Sequence, residues 1–134
     1  MSSNPMSRSR EPYVMIVEDD LSVSHLFSEL FQSEGYRVKV FQNGAHAVMA
    51  VHDGMPDVIV SDIVLPGIDG FKLCEQLKRQ FTTIKIVLIT GADLNDSDRQ
   101  IAKIRGAEAI IEKSRFREIV AVVKSMIGTG EKEN

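Results

Sequence analysis

Hydrophobic and polar positions change period repeatedly along this chain, regularly enough to assign elements. Tyr13–Val17 is a short run of β-forming residues with no charged break. Val23, Leu26, Phe27, Leu30 and Phe31 then fall at i, i+3, i+4, i+7 and i+8, the stripe of an amphipathic helix. Gly35 ends it, as a residue able to take positive φ should. Arg37–Phe41 alternates polar and apolar, which predicts a strand exposed on one side or at an edge. Residues 43–53 predict a second helix with Ala47, Val48 and Val51 inward, stopped by Gly54 and Pro56. Residues 57–61 read as a third strand, apolar through Val58, Ile59 and Val60. A turn cluster, residues 66–70, leads to a helix whose buried side is Phe71, Leu73, Cys74, Leu77 and Phe81. Residues 84–89 form the fourth strand, and 95–104 a weak helix with Ile101, Ala102 and Ile104 as its core residues. Gly106 closes that helix, 107–112 predicts a strand with charges at Glu108 and Glu112, and Phe116, Ile119, Val120, Val123 and Ile127 mark a last helix.

Five βα units in succession imply an α/β fold, a doubly wound parallel sheet with helices on both faces. Right-handed crossovers leave few arrangements. The charged second and fifth strands suit the edges, giving the order 2-1-3-4-5 and a single domain over residues 13–127. Residues 1–12 and 128–134 read as tails, with no room for an output or DNA-binding module on either side.

In that order strands 1 and 3 are neighbours at the topological switch point, where ligands bind beyond the strand ends. Glu18-Asp19-Asp20 and Asp62 sit at those two ends, and Thr90-Gly91 and Lys113 follow strands 4 and 5. Three carboxylates that close raise one another's pKa, and a hard divalent cation relieves the repulsion. Oxygen ligands with retained waters suit Mg²⁺. The formal charges of Glu18, Asp19 and Asp62 cancel those of one such cation and Lys113, so the site is ready for a phosphoryl group. Asp62 is a candidate nucleophile, because carboxylates form acyl phosphates in phosphoryl transfer. Lys113 and Thr90 are placed to meet the phosphoryl oxygens, and Gly91 leaves the entry open. Asp20 reads as the N-cap of the first helix.

Composition narrows the classes. A net charge of -3 without a basic stripe is a poor basis for direct nucleic-acid binding. One cysteine, Cys74, excludes an internal disulfide and any cysteine-based zinc cluster, and its neighbours make it a core residue. No apolar stretch approaches the ~20 residues of a membrane span, and no apolar signal core opens the chain, so a cytoplasmic location is expected. His25, His46 and His52 fall in helices away from the acidic cluster and show no ligand pattern.

In combination these motifs resemble the receiver domain of bacterial two-component response regulators, over about residues 12–127. They are Val17-Glu-Asp-Asp20, Pro56-Asp-Val-Ile-Val-Ser-Asp62 leading into Leu65-Pro-Gly-Ile-Asp-Gly70, Val87-Leu-Ile-Thr-Gly91 and Glu112-Lys113. The resemblance implies a flavodoxin-like (βα)5 fold and a stand-alone, chemotaxis-regulator-like switch. It implies Asp62 as phosphoacceptor, charged by a histidine kinase or a histidine phosphotransfer protein, and no turnover of small molecules. It also implies Mg²⁺ held by Asp19, Asp62 and the backbone carbonyl of Val64, with Glu18 acting through water. Thr90 and Lys113 take the phosphoryl-sensing and charge-pairing roles, and the helix 4–strand 5–helix 5 face changes for an unidentified downstream protein.

Two positions depart from the family pattern. Ser114 follows the lysine where proline is usual, and because a cis bond to a non-proline residue costs ~3–4 kcal/mol, a trans Lys113–Ser114 peptide is expected. Ile110 stands where an aromatic is usual; it is stiff at χ1 and unable to swing as an aromatic does. Three other classes compete. An aspartyl-phosphate phosphatase wants a second acid two residues past the nucleophile, where this chain has Val64. A flavin module wants a hydroxyl- and glycine-rich loop where Glu18-Asp19-Asp20 would repel phosphate. A constitutive docking module of the same fold is kept in play by Ser114 and Ile110.

Overall fold

The structure, a computed structural model, describes residues 11–131, with side chains through Gly128. Five parallel strands form one sheet in the order β2-β1-β3-β4-β5. They are β1 (Tyr13–Val17), β2 (Arg37–Phe41), β3 (Val58–Asp62), β4 (Ile86–Thr90) and β5 (Ala109–Glu112). The helices are α1 (Leu21–Ser33), α2 (Gly44–Asp53), α3 (Gly70–Gln80), α4 (Asp96–Arg105) and α5 (Phe116–Glu131). The expected flavodoxin-like topology is the observed one, with the two charged strands at the edges.

Strand alternation divides the core in two. Val14, Ile16, Val58, Val60, Val87 and Ile89 face Phe27 and Phe31 of α1 and Ile119 and Val123 of α5. Met15, Val17, Ile59, Ile86 and Leu88 face the other way, onto Ala47 and Val51 of α2, Leu73 and Leu77 of α3, and Ala102 of α4. The central strands β1, β3 and β4 are buried throughout, the polar ends Ser61, Asp62 and Thr90 included, as strands covered on both faces must be.

Boundaries shift where tertiary contacts outbid local pattern. Asp57 stays outside β3, and its carboxylate accepts from the Tyr13 amide at 2.7 Å. Ile84 is buried but precedes β4, and Glu108 precedes β5, its carboxylate accepting from the Ile86 amide (2.8 Å) and from Lys78 Nζ (2.8 Å). Helix α5 runs on past Ile127 to Glu131. The largest correction concerns α4. Ile104, expected in the core, is 77% exposed, and Ala102 is the helix's sole buried residue.

Candidate functional site

The three carboxylates come from two adjacent strand ends. Parallel pairing of Val17 with Ser61 brings the residues that follow each strand, or end it, to one side of the sheet. Asp20 caps α1, accepting from the amides of Ser22 (2.9 Å) and Val23 (3.2 Å). That cap fixes the turn that carries Glu18 and Asp19. Glu18 is almost fully buried; its amide donates to Phe41 O (2.9 Å), and its Oε2 accepts from the Asp20 amide (3.0 Å).

Asp62 is buried, and its Oδ1 accepts from the Val64 amide at 3.1 Å. Gly70 explains how tightly its loop turns back. A Cβ there would lie 2.3 Å from Asp62 O and 2.7 Å from Ile63 Cα, both unyielding backbone. The sequence reading gives Gly70 to turn geometry; the structure assigns it to close approach instead, while Gly67 holds the positive φ of +82°. The amide of Gly70 donates to Ile63 O, and Asp69 caps α3 through the Lys72 amide.

Lys113 reaches across from the end of β5. Its Nζ lies 2.9 Å from Asp62 Oδ2 and 2.9 Å from Glu18 Oε1. The second approach lacks the alignment of a hydrogen bond, so Glu18 Oε1 is a buried oxygen without a directional partner. Burial raises the Glu18 carboxyl above its ordinary value and Asp62 adds to this, while Lys113 and the Asp20 amide pull it back in part. Burial works against the Lys113 ammonium, but the close approach and charges of the Glu18 and Asp62 carboxylates outweigh it and hold its pKa above the usual lysine value.

Thr90 is buried at the end of β4, with its Oγ1 accepting from the Ala92 amide (3.1 Å). Glu18, Asp19, Asp62, Val64, Thr90, Gly91 and Lys113 all line one open cleft of about 750 Å³, so every expected site residue meets there. The ligand oxygens of Glu18, Asp19 and Asp62 lie within 4.8 Å of one another. Such spacing, an all-oxygen donor set and a buried carboxylate oxygen that accepts no hydrogen bond fit a hard cation that keeps some of its waters.

The remaining candidates behave as read. Cys74 is buried, its thiol pushed up to about 11 by burial, with Sγ 3.5 Å from Arg105 O. The histidines are exposed and outside the cleft: His25 sits by Glu29 (3.2 Å), and His52 bonds Gln80 (3.0 Å) edge-on to Phe81. No peptide among the described residues is cis, so Lys113–Ser114 is trans as expected.

A family profile described as the response regulator receiver domain matches residues 14–124. Among curated proteins, the transcriptional regulatory protein BaeR of Escherichia coli is 33% identical over 117 residues, 87% of this chain and 48% of BaeR. TcrA of Mycobacterium tuberculosis, also a transcriptional regulatory protein, is 38% identical over 78 residues, 58% of this chain and 31% of its own. The chain thus spans half or less of those relatives. Among solved structures, the response regulator TrrA of Thermotoga maritima, in complex with Mg²⁺ and a beryllium fluoride, superposes with a TM-score of 0.79 at 27% identity, covering 87% of this chain and 99% of that one. The activated receiver domain of RstA from Klebsiella pneumoniae gives 0.71 at 30% identity, over 81% and 97%. The fold and the acidic cleft are those of a phosphorylation-switch domain, and this chain belongs to the response regulator receiver domain family.

Proposed function

We propose that this chain is a phosphorylation-dependent signalling switch in the cytoplasm. Asp62 accepts a phosphoryl group from the phosphohistidine of a histidine kinase or histidine phosphotransfer protein, with Mg²⁺, and the α4–β5–α5 face then changes for a downstream protein. The observation that carries this reading is Lys113 Nζ at 2.9 Å from both the buried Glu18 Oε1 and Asp62 Oδ2, with the ligand oxygens of Glu18, Asp19 and Asp62 within 4.8 Å of one another.

A carboxylate oxygen of Asp62 forms the bond to phosphorus as the donor's P–N bond breaks. The electron pair returns to the imidazole nitrogen, which takes up a proton. The Val64 amide holds Asp62 Oδ1, so the carboxylate meets the incoming group in one orientation. Asp19, Asp62 and the carbonyl of Val64 would hold Mg²⁺ directly and Glu18 through water. Bound there, the ion neutralises charge on the phosphoryl oxygens. Lys113 already lies against Asp62 and can pair with one phosphoryl oxygen without a large movement. Thr90 keeps its hydroxyl hydrogen for another, because its oxygen accepts from Ala92. The space beside Gly91 is open, since a Cβ there would meet nothing within 4 Å, and the glycine adds no side chain to the cleft wall.

No turnover of small phosphate esters and no direct contact with nucleic acid are expected. With Ile110 unable to swing as an aromatic would, the change is read through displacement of α4. Incubation with Mg²⁺ and a small acyl phosphate or phosphoramidate, followed by intact-mass measurement, tests the reading. A gain of one phosphoryl group, absent from Asp62→Ala, is the expected result. No gain under conditions that label another receiver domain would leave the constitutive docking module, which Ser114 and Ile110 keep in play.

A further inference from the structure

The loop between β4 and α4 forms one wall of the cleft through Gly91 and Ala92. It has little packing to hold it: residues 91–93 are exposed, and α4 buries Ala102 alone. Besides the Asn95 cap that joins it to α4, two hydrogen bonds hold residues 91–94. One is local, from the Ala92 amide to Thr90 Oγ1. The other crosses to the neighbouring strand, from the Leu94 amide to Glu112 Oε2 at 2.9 Å. A bond to a charged acceptor is among the stronger ones available to a half-exposed loop.

Glu112 is well placed to carry position from one side of the cleft to the other. It pairs with Thr90 in the β4–β5 register, and the amide of the next residue, Lys113, donates to Thr90 O at 2.8 Å. Arg115 Nε lies 3.8 Å from Glu112 Oε1, leaving Oε2 to Leu94. A cavity of about 180 Å³ lies beside this bond, lined by Leu94, Arg99, Ile110, Glu112 and Arg115. Leu94 is half-buried and belongs to neither core cluster.

We infer that Glu112 is a positioning residue for the phosphoryl cleft: its carboxylate latches the Leu94 amide and so holds the Gly91–Ala92 wall and the Thr90 hydroxyl in register with Lys113. The latch stands on geometry present before any phosphoryl group arrives; only its effect on labelling rests on the function proposed above. Glu112→Ala removes the acceptor, whereas Glu112→Gln keeps an oxygen able to accept from Leu94 and loses the charge.

The test pairs two readouts in the full chain. Amide hydrogen exchange at Leu94, Ala92 and Gly91, measured without phosphoryl donor, should quicken at Leu94 by about tenfold or more in Glu112→Ala and by much less in Glu112→Gln. Labelling by an acyl phosphate should slow several-fold in Glu112→Ala, with the Mg²⁺ dissociation constant held within about twofold, because none of the three carboxylates is altered. Unchanged exchange at Leu94 in Glu112→Ala would overturn the latch, whatever the labelling shows. So would equal acceleration in Ala and Gln variants. Quickened exchange with an unchanged labelling rate would overturn the positioning role. A parent chain that takes no label at all would sink the proposed function instead, and exchange at Ala92 and Gly91 would then decide whether the wall depends on Glu112.

Discussion

Helices α3 and α4 are neighbours on the same face of the sheet, yet they are held by different physics. Helix α3 buries Gly70, Leu73, Cys74 and Leu77, and its first residue sits against the backbone of Asp62 and Ile63. Helix α4 buries Ala102 alone and leaves Ile104 exposed. What holds α4 is largely polar and at its ends. Arg105 pairs with Glu75 at 2.5 Å, Gly106 caps the helix in the left-handed region, and Glu112 holds Leu94 before it begins. One side of the cleft is therefore a close-packed platform for the carboxylates. The other rests on a few bonds that water can replace, as suits a region that moves at low cost.

Substitutions at the two sides should separate these behaviours. The largest effect is expected at Gly70→Ala, where the new Cβ meets immovable backbone: a loss of about 3 kcal/mol or more in urea unfolding, with weakened Mg²⁺ binding. Retention of parental stability would show that the platform is not close-packed. Lys113→Ala comes next. It leaves Glu18 and Asp62 facing each other uncompensated, at a cost of about 1–3 kcal/mol in metal-free protein. Added Mg²⁺ should recover more stability in this variant than in the parent, and equal recovery in both would refute the charge-balance account.

A smaller effect of opposite sign is expected for Glu18→Gln. A carboxyl held above its ordinary value costs stability once ionised, so the parent loses stability as pH rises from about 4.5 through the Glu18 folded value. The glutamine variant escapes that loss. At pH 7, without metal, it should therefore be the more stable of the two. The gap should close as pH falls below 4.5, and Mg²⁺ should bind the variant less tightly; thermal melts across pH check the sign. Smallest of all, Ile104→Ala should change stability by no more than about 0.5 kcal/mol, since the side chain is 77% exposed. A large loss would mean that α4 is packed as firmly as α3.

Much of this molecule is legible without coordinates. Runs such as residues 14–17 and 86–89 carry no polar residue, so only a sheet covered on both faces can take them, and the second and fifth strands declare themselves edges by their charges. Glu18, Asp19, Asp62, Thr90 and Lys113 stand out because polar groups at the ends of buried strands have one place to go. Glu112 and Glu108 are harder to read. Both look like solvated charges on an edge strand, and both bind backbone amides of neighbouring elements. The signal was a carboxylate beside a helix with too few apolar residues to fix its own start.

The order of hydrophobic and polar residues determined the elements, the strand order and the set of groups that gather at the strand ends. Periodicity states which side of an element faces inward, and that suffices for a doubly wound sheet. Tertiary structure alone decided that Lys113 spans two carboxylates, that Glu18 Oε1 is buried without an aligned hydrogen bond, that Gly70 has no room for a methyl group and that Ile104 faces water. Those outcomes depend on spacings of an ångström or less between residues up to 95 positions apart in the chain (Glu18 to Lys113). Close packing sets such spacings, and a pattern of residue types does not.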